Sequence, residues 1–342
     1  MPSAADELLA AQRAAGRALQ FDEYMAIALY GAHGFYNTGG KAGRRGDFLT
    51  SPEVGPLFGA VLARWIDAEY RRLGEPDEFV VVEVGAGPGT LARTILLAAP
   101  HLTERYVAVE VSAAQRAQHP TGVNSRADLP PGPLVGVVIA NELLDNLPFR
   151  LAVFDGGWRE AMVEVAADGS LSERLAPAPA DWAWLPVDAP HGSRAPVQAA
   201  AARWVADTIA GMERGTVLCI DYCTARTAML ARRPWREWLR TYRGHERGAH
   251  YLRSAGEQDI TAEVCLDQLP EPTGVRTQAQ FLQRWDIAEL VEEGREVWER
   301  SAAAPTLAAL RMRSRVREAE SLLEANGLGA FLAVEWSAGV LR

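Results

Sequence analysis

Where the apolar run "LVGVVIA" at 134–140 ends, the chain continues into Asn141, Glu142 and then Asp145, within "IANELLDNLPF". An amide and two carboxylates carried out of a buried strand suit a site that grips a cationic group through charge-assisted hydrogen bonds. A guanidinium is the sharpest case. It stays charged near neutral pH, so its nitrogens are poor nucleophiles and must be oriented before they react. Glu142 would bind one edge through paired hydrogen bonds and Asp145 a second edge, and one of them would take the released proton. Alignment and charge compensation would then carry much of the catalysis. The plainer reading is a strand followed by a capped turn, with Asp145 solvating a loop and Pro148 ending it.

A second constellation lies earlier. "VVVEVGAGPGTLAR" sets Gly85, Gly87 and Gly89 at a strand-to-helix turn, with Ala86 among them, Glu83 just before and Glu110 ending the next strand. Glycines there allow a sharp turn and let a ligand approach without meeting a β-carbon. A carboxylate placed like Glu110 can accept both ribose hydroxyls of a nucleoside. That much fits NAD and S-adenosylmethionine alike. The dinucleotide fingerprint, however, is GxGxxG, whose helix start cradles a pyrophosphate with backbone N–H groups. Here the spacing is GxGxG, position 90 is threonine, and Pro88 has no N–H to give. A phosphate-free ligand loses nothing by this, so S-adenosylmethionine is favoured over a dinucleotide and over a turn that serves packing alone.

The elements that would position these groups follow from hydropathy. Apolar strands are expected at 79–85, 106–112, 134–140 and 215–223, alternating with helices, one of them at about 196–212. That rhythm implies a parallel sheet covered on both faces, with ligands beyond the carboxyl ends of its strands. Helices are expected within 4–31, from Val54 to Leu73, and across 277–326, with a last strand at "AFLAVEW". The stretch 150–175 has two alternating runs joined by Asp155, Gly156 and Gly157, which predicts an antiparallel hairpin inserted into the sheet domain and continuing to His191.

Composition sets the limits. The chain has 342 residues, 48% hydrophobic, with 35 basic and 44 acidic side chains and a formal net charge of −9. That balance argues against a nucleic-acid coat. No apolar run approaches the ~20 residues of a transmembrane helix. The N-terminal stretch lacks the pattern of a secretory or transit leader, so the expectation is a cytoplasmic protein without membrane insertion. Cys219, Cys223 and Cys265 read as reduced thiols, and the six histidines show no zinc spacing, so no metal is expected.

The chain resembles the MidA-type methyltransferases, which include the mitochondrial complex I assembly methyltransferase. The resemblance covers most of the chain. It rests on "GFYNTGGKAGRRGDFLTSPEVGPLFG", "VEVGAGPGTLA", "YVAVEVS", "IANELLDNLPFR", "IDYC" and "QDITAEV", in the family's order. It implies an α/β fold: a doubly wound, seven-stranded class I methyltransferase (Rossmann-like) sheet with added N- and C-terminal helices. The corresponding division is 1–78 for N-terminal helices and a lid loop, and 79–342 for the S-adenosylmethionine domain with its insertion at about 150–195. It implies cofactor contacts from Gly85, Gly87, Gly89 and Glu110, and Glu83, Ala86 and Val111 beside them are expected to join the cofactor site. The "GDFLTSPE" loop would add Asp47 and Ser51. The mitochondrial member is understood to methylate an arginine on a partner protein, so a protein substrate is the expected partner. Two departures bear on the substrate: Glu263 stands where the family's "DITAHVDF" has histidine, and "CLDQ" replaces its aspartate–aromatic pair.

Other features have plainer explanations. Thr50 or Ser51 would cap the helix after the lid loop, with Glu53 completing the cap. His245 or His250 could act as a base, though a solvated loop is simpler. Trp235 and Trp238 read as core residues with wet arginines around them, and "RMRSRVREAE" as an exposed helix face. The terminal helices would cap the sheet or support a homodimer. The rival functions are a small-molecule O- or N-methyltransferase, an assembly factor that binds S-adenosylmethionine without turnover, and a nicotinamide dehydrogenase.

Overall fold

In the computed structural model, which describes residues 3–38, 50–243, 246–304 and 306–339, the four apolar runs become four neighbouring parallel strands. Seven strands make up their sheet: β1 Val80–Val84, β2 Tyr106–Val109, β3 Asn124–Arg126, β4 Leu134–Asn141, β5 Met212–Asp221, β6 Gly274–Thr277 and β7 Leu332–Ala338. Their order is β3-β2-β1-β4-β5-β7-β6. All pairings are parallel except those of β7, which runs antiparallel to both β5 and β6. The chain winds outward from β1 to β3 and restarts at β4 on the other side, so the fold is the expected doubly wound, seven-stranded class I methyltransferase sheet. Ligand crevices in such sheets open where the winding reverses, beyond the carboxyl ends of β1 and β4.

The chain forms two compact units. One comprises residues 49–143, 207–221 and 272–342 and holds this sheet; the other comprises 1–48, 144–206 and 222–271. In the sheet unit, helix Pro56–Arg72 buries Leu57, Val61, Leu62, Trp65 and Ile66, the stripe legible in the sequence. Its start is capped from far along the chain, where the Glu318 carboxylate accepts the Leu57 N–H at 2.8 Å. Helices Gln278–Arg284, Ile287–Ser301 and Leu307–Leu322 form the C-terminal layer.

The other unit carries helices Ala4–Ala15 and Phe21–Tyr30 and the expected antiparallel insertion. Strands Arg150–Phe154 and Trp158–Val165 pair across a turn closed by the Asp155 N–H on the Gly157 carbonyl at 2.8 Å. Strand Leu171–Pro177 pairs with Trp158–Val165, and Leu19–Gln20 also joins that strand. The expected helix from about 196 is corrected at its start. Arg194–Val197 is a strand on Arg150–Phe154, because Pro196 lies in an extended edge, and the helix is Ala199–Ala210. The core of this unit gathers Leu8, Phe21, Tyr24, Phe149, Trp238 and Tyr251, with Phe21 edge-on to Tyr251 at 5.2 Å. Trp238 is fully buried, as its spacing suggests, while Trp235 is half-buried beneath the Arg236 guanidinium.

Strands β3 and β6 and the small sheet of Leu239–Arg243, Glu246–Arg247 and Asp259–Ala262 have no apolar pattern that announces them. No helix of the described residues is long and apolar enough to cross a membrane. The cysteines are free thiols, and burial pushes Cys265 up to about 12.

Candidate active site

The glycine turn leaves β1 in a conformation few other residues adopt. Gly85, Gly87 and Gly89 have φ of +71°, +52° and +80°. A β-carbon on Gly85 would meet the Leu143 Cδ1 at 3.1 Å, so the turn is both left-handed and roofed by the segment that follows β4. The Ala86 N–H donates to the Val109 carbonyl at 3.0 Å, which ties the turn to β2.

Glu110 sits just past β2 with its carboxylate drawn toward that turn. One oxygen accepts the Gly87 N–H at 3.0 Å and the other the Ser112 N–H at 2.8 Å. Each carboxylate oxygen has a second lone-pair direction to offer. Val111 beside it is 63% exposed, unusual for an aliphatic side chain at the rim of a buried sheet and suited to an apolar ring face. Glu83 points elsewhere. It is buried within β1, accepts the Tyr106 hydroxyl at 2.8 Å, and burial pushes its carboxyl up to about 8, with the Glu110 charge adding to the rise and Tyr106 opposing it. A largely neutral acid is therefore built into the strand beneath the turn.

Sequence reasoning missed the outer support of this turn. The His119 imidazole bonds the Gly87 carbonyl through Nε2 at 2.9 Å and meets the Ser125 hydroxyl through Nδ1 at 2.9 Å, and partial burial lowers its pKa. A carbonyl can only accept, so Nε2 carries the proton and Nδ1 accepts from Ser125. Nothing in "SAAQRAQHP" marks His119, since a lone histidine has no local signature.

At the reversal of winding, β1 and β4 pair with Val84 opposite Ala140. Asn141 and Glu142 thus emerge beside the glycine turn. The Asn141 amide donates to the Glu142 carboxylate at 3.1 Å, while its Oδ1 is buried without a hydrogen-bond partner among the described residues. An acceptor left so costs about 1–3 kcal/mol, which a donor on a bound ligand would offset. Glu142 is held at φ +52°, and its N–H donates to the Ile220 carbonyl at 2.8 Å. A left-handed non-glycine residue costs about 1–3 kcal/mol and tends to cluster at functional sites.

Asp145 belongs to the other unit. It is buried and accepts the Thr261 hydroxyl. Next to it the Asn146 amide donates to Asp259 at 3.0 Å and to the Ile260 carbonyl at 3.2 Å, and Tyr36 donates to Asp259 at 3.0 Å. Burial raises the Tyr36 hydroxyl well above its usual range, and the Asp259, Tyr30 and Asp145 charges add to it. The "NELLDNLP", "QDIT" and "GFYN" motifs therefore interlock, a convergence the sequence reading did not foresee.

The remaining predicted residues are placed less simply. Asp47, the start of the "GDFLTSPE" loop and His245 lie outside the described residues. The capping expectation is corrected: Thr50 makes no side-chain cap, Ser51 is fully buried with its hydroxyl on Gln278 Oε1 at 2.8 Å, and Glu53 accepts from the Thr90 hydroxyl at 2.7 Å. Glu263, at the departure from the family pattern, is clamped by Arg233 at 2.8 and 2.9 Å and approached by Arg240 at 3.3 Å.

Comparison with known proteins bears on this geometry. A family model described as "Putative S-adenosyl-L-methionine-dependent methyltransferase" matches residues 61–283. The chain is 32% identical over 187 residues to the "Protein arginine methyltransferase NDUFAF7 homolog, mitochondrial" of Drosophila melanogaster, covering 44% of this chain and 42% of that protein. It is 41% identical over 75 residues to the human "Protein arginine methyltransferase NDUFAF7, mitochondrial", covering 22% and 17%. The chain thus spans less than half the length of these curated relatives. A Burkholderia thailandensis protein solved bound to S-adenosyl-homocysteine superposes with a TM-score of 0.83 at 27% identity, over 99% of this chain and 92% of that one. The cytoplasmic expectation is overturned by the curated relatives, which are mitochondrial proteins.

Proposed function

Because the chain belongs to the S-adenosyl-L-methionine-dependent methyltransferase family whose model spans residues 61–283, we propose that it methylates an arginine guanidinium of a partner protein. The observation that carries this reading is the pair Asn141–Glu142. It sets a carboxylate on a left-handed backbone, and a buried acceptor with no partner among the described residues, at the winding reversal, beside a turn whose Gly85, Gly87 and Gly89 carry no β-carbon. The arginine methyltransferase relatives add support for the acceptor.

The residues present fit S-adenosylmethionine. The turn at Gly85, Ala86, Gly87 and Gly89 would take its backbone edge, Glu110 its ribose hydroxyls and Val111 its adenine face. The orphaned Asn141 Oδ1 would accept a ligand N–H. Asp47 and Ser51 stay in the proposal as lid residues, Ser51 through its anchorage on Gln278. The bound donor supplies an electrophilic methyl on a sulfonium sulfur. Glu142 binds and orients the guanidinium, and Asp145, fixed by Thr261, holds a second edge and draws positive charge from the reacting nitrogen. One of the two carboxylates would accept the proton that the guanidinium nitrogen releases when it is methylated.

The test is methyl transfer to arginine-containing and matched lysine-containing protein fragments, read by mass spectrometry, for wild type, Glu142→Gln and Asp145→Asn. Turnover on arginine should fall by about 100-fold or more in each variant, the scale for losing a positioned acid–base group. Affinity for S-adenosylhomocysteine should stay within about twofold, since the lost interaction belongs to the acceptor. Undiminished turnover in both variants, or methylation confined to small molecules, refutes the reading.

A further inference from the structure

The helix that follows the glycine turn, Thr90–Ala98, begins at Gly89 with no side-chain cap and no acidic residue in its first turn. Such a helix start carries a partial positive charge, which in dinucleotide-binding proteins receives the pyrophosphate, and here one of its first-turn N–H groups, that of Ala92, already meets the Glu83 carboxyl. Here a carboxylate from elsewhere is brought to it: Glu53 Oε1 accepts the Thr90 hydroxyl at 2.7 Å. Thr90 occupies the position where the GxGxxG spacing, counted from Gly85, would have its third glycine. The residue that departs from the phosphate-binding pattern is thus the one that holds a carboxylate at the start of this helix. Pro88, just before, removes a donor that a phosphate would use.

Resting on the methyl-donor reading above, we propose that Glu53 is a specificity residue: its carboxylate at the helix start repels phosphate-bearing adenosine ligands and favours a sulfonium over a neutral thioether. The reason is charge. A phosphate placed there would meet a negative charge, whereas the methyl donor and its demethylated product share one carboxylate and one ammonium and differ in charge only at the sulfur, which is positive in the donor and neutral in the product. A unit charge acting on another across partly hydrated protein changes affinity by about three- to tenfold. Glu53 also belongs to "TSPE", so the described end of the lid motif is attached to the cofactor turn and can bias it directly.

The experiment is calorimetric titration of the full chain with S-adenosylmethionine, S-adenosylhomocysteine and ADP, for wild type, Glu53→Gln and Thr90→Val. Glu53→Gln keeps an acceptor for Thr90 and removes only the charge. It should lower the preference for S-adenosylmethionine over S-adenosylhomocysteine by about three- to tenfold and strengthen ADP binding. Thr90→Val keeps the charge, so it should weaken both adenosyl ligands together and leave their ratio intact. If Glu53→Gln weakens both equally with ADP unchanged, Glu53 is only a structural anchor and the proposal fails. Should that variant not fold, the wild-type ratio read at about 0.05 M and about 0.5 M salt replaces it, since screening must narrow a preference set by charge. An unchanged ratio overturns the proposal. Wild type that binds neither adenosyl sulfur ligand fails differently, because it removes the methyl-donor reading itself.

Discussion

Replacing Glu83 by glutamine should make the protein more stable, and increasingly so as pH rises. Glu83 is enclosed within β1, hydrogen-bonded to Tyr106, and burial holds its carboxyl at about 8 against an ordinary 4.5. A folded-state pKa above the unfolded one means the folded protein binds the proton more tightly. The stability this contributes is fully present below pH 4.5 and is lost as pH climbs through about 8. The whole displacement corresponds to about 5 kcal/mol, of which about 3 to 4 kcal/mol is lost between pH 5 and pH 8. Glutamine cannot titrate, yet its amide oxygen can still accept from Tyr106, so the variant keeps the contact and drops the pH-dependent loss. The assay is thermal unfolding of wild type and Glu83→Gln at unit pH steps from 5 to 8. For a unit of this size the midpoint gap should widen by about 6–12 °C in the variant's favour across that range. Parallel curves, with a constant gap, would refute the argument by showing that Glu83 ionises near its ordinary pKa or reaches water.

Three further outcomes follow from the geometry. Glu110→Ala should weaken S-adenosylhomocysteine binding about tenfold or more by calorimetry, since it removes the proposed ribose acceptor and the anchor of the Gly87 and Ser112 N–H groups; unchanged affinity would move the nucleoside elsewhere. Gly85→Ala should lower the thermal midpoint by the equivalent of about 1–3 kcal/mol, because alanine at φ +71° is strained and its methyl meets Leu143. Trp238→Ala, which empties a fully enclosed site, should cost about 3–5 kcal/mol in denaturant unfolding; a loss below about 1 kcal/mol would mean the site collapses around the smaller residue.

The two constellations from which the reading began differ in how far sequence alone could take them. The glycine turn was legible because its message is local: glycines at positive φ, a proline without an N–H and a carboxylate ending the next strand all act within one strand–turn–helix unit. Asn141 and Glu142 were legible for the same reason, as polar residues ending an apolar strand. Glu83 was less fully legible. Its spacing suggested a ligand contact, and its hydrogen bond from Tyr106 depends on the neighbouring strand, which the spacing does not reveal.

What the sequence by itself determined was the alternation of apolar strands and amphipathic helices, the inserted hairpin and the glycine turn, because periodicity and turn chemistry are written in adjacent residues. The tertiary structure alone decided the strand order 3-2-1-4-5-7-6 and the grouping of the chain into two units. It also decided the partners of the polar side chains. Ser51 finds Gln278, Leu57 is capped by Glu318, Asp145 meets Thr261 and Glu53 meets Thr90. These pairs join residues far apart in the chain, and a hydrogen bond imposes no pattern on the residues between its ends. Buried polar groups must be satisfied, but which distant partner satisfies them is settled only when the strands and helices have packed.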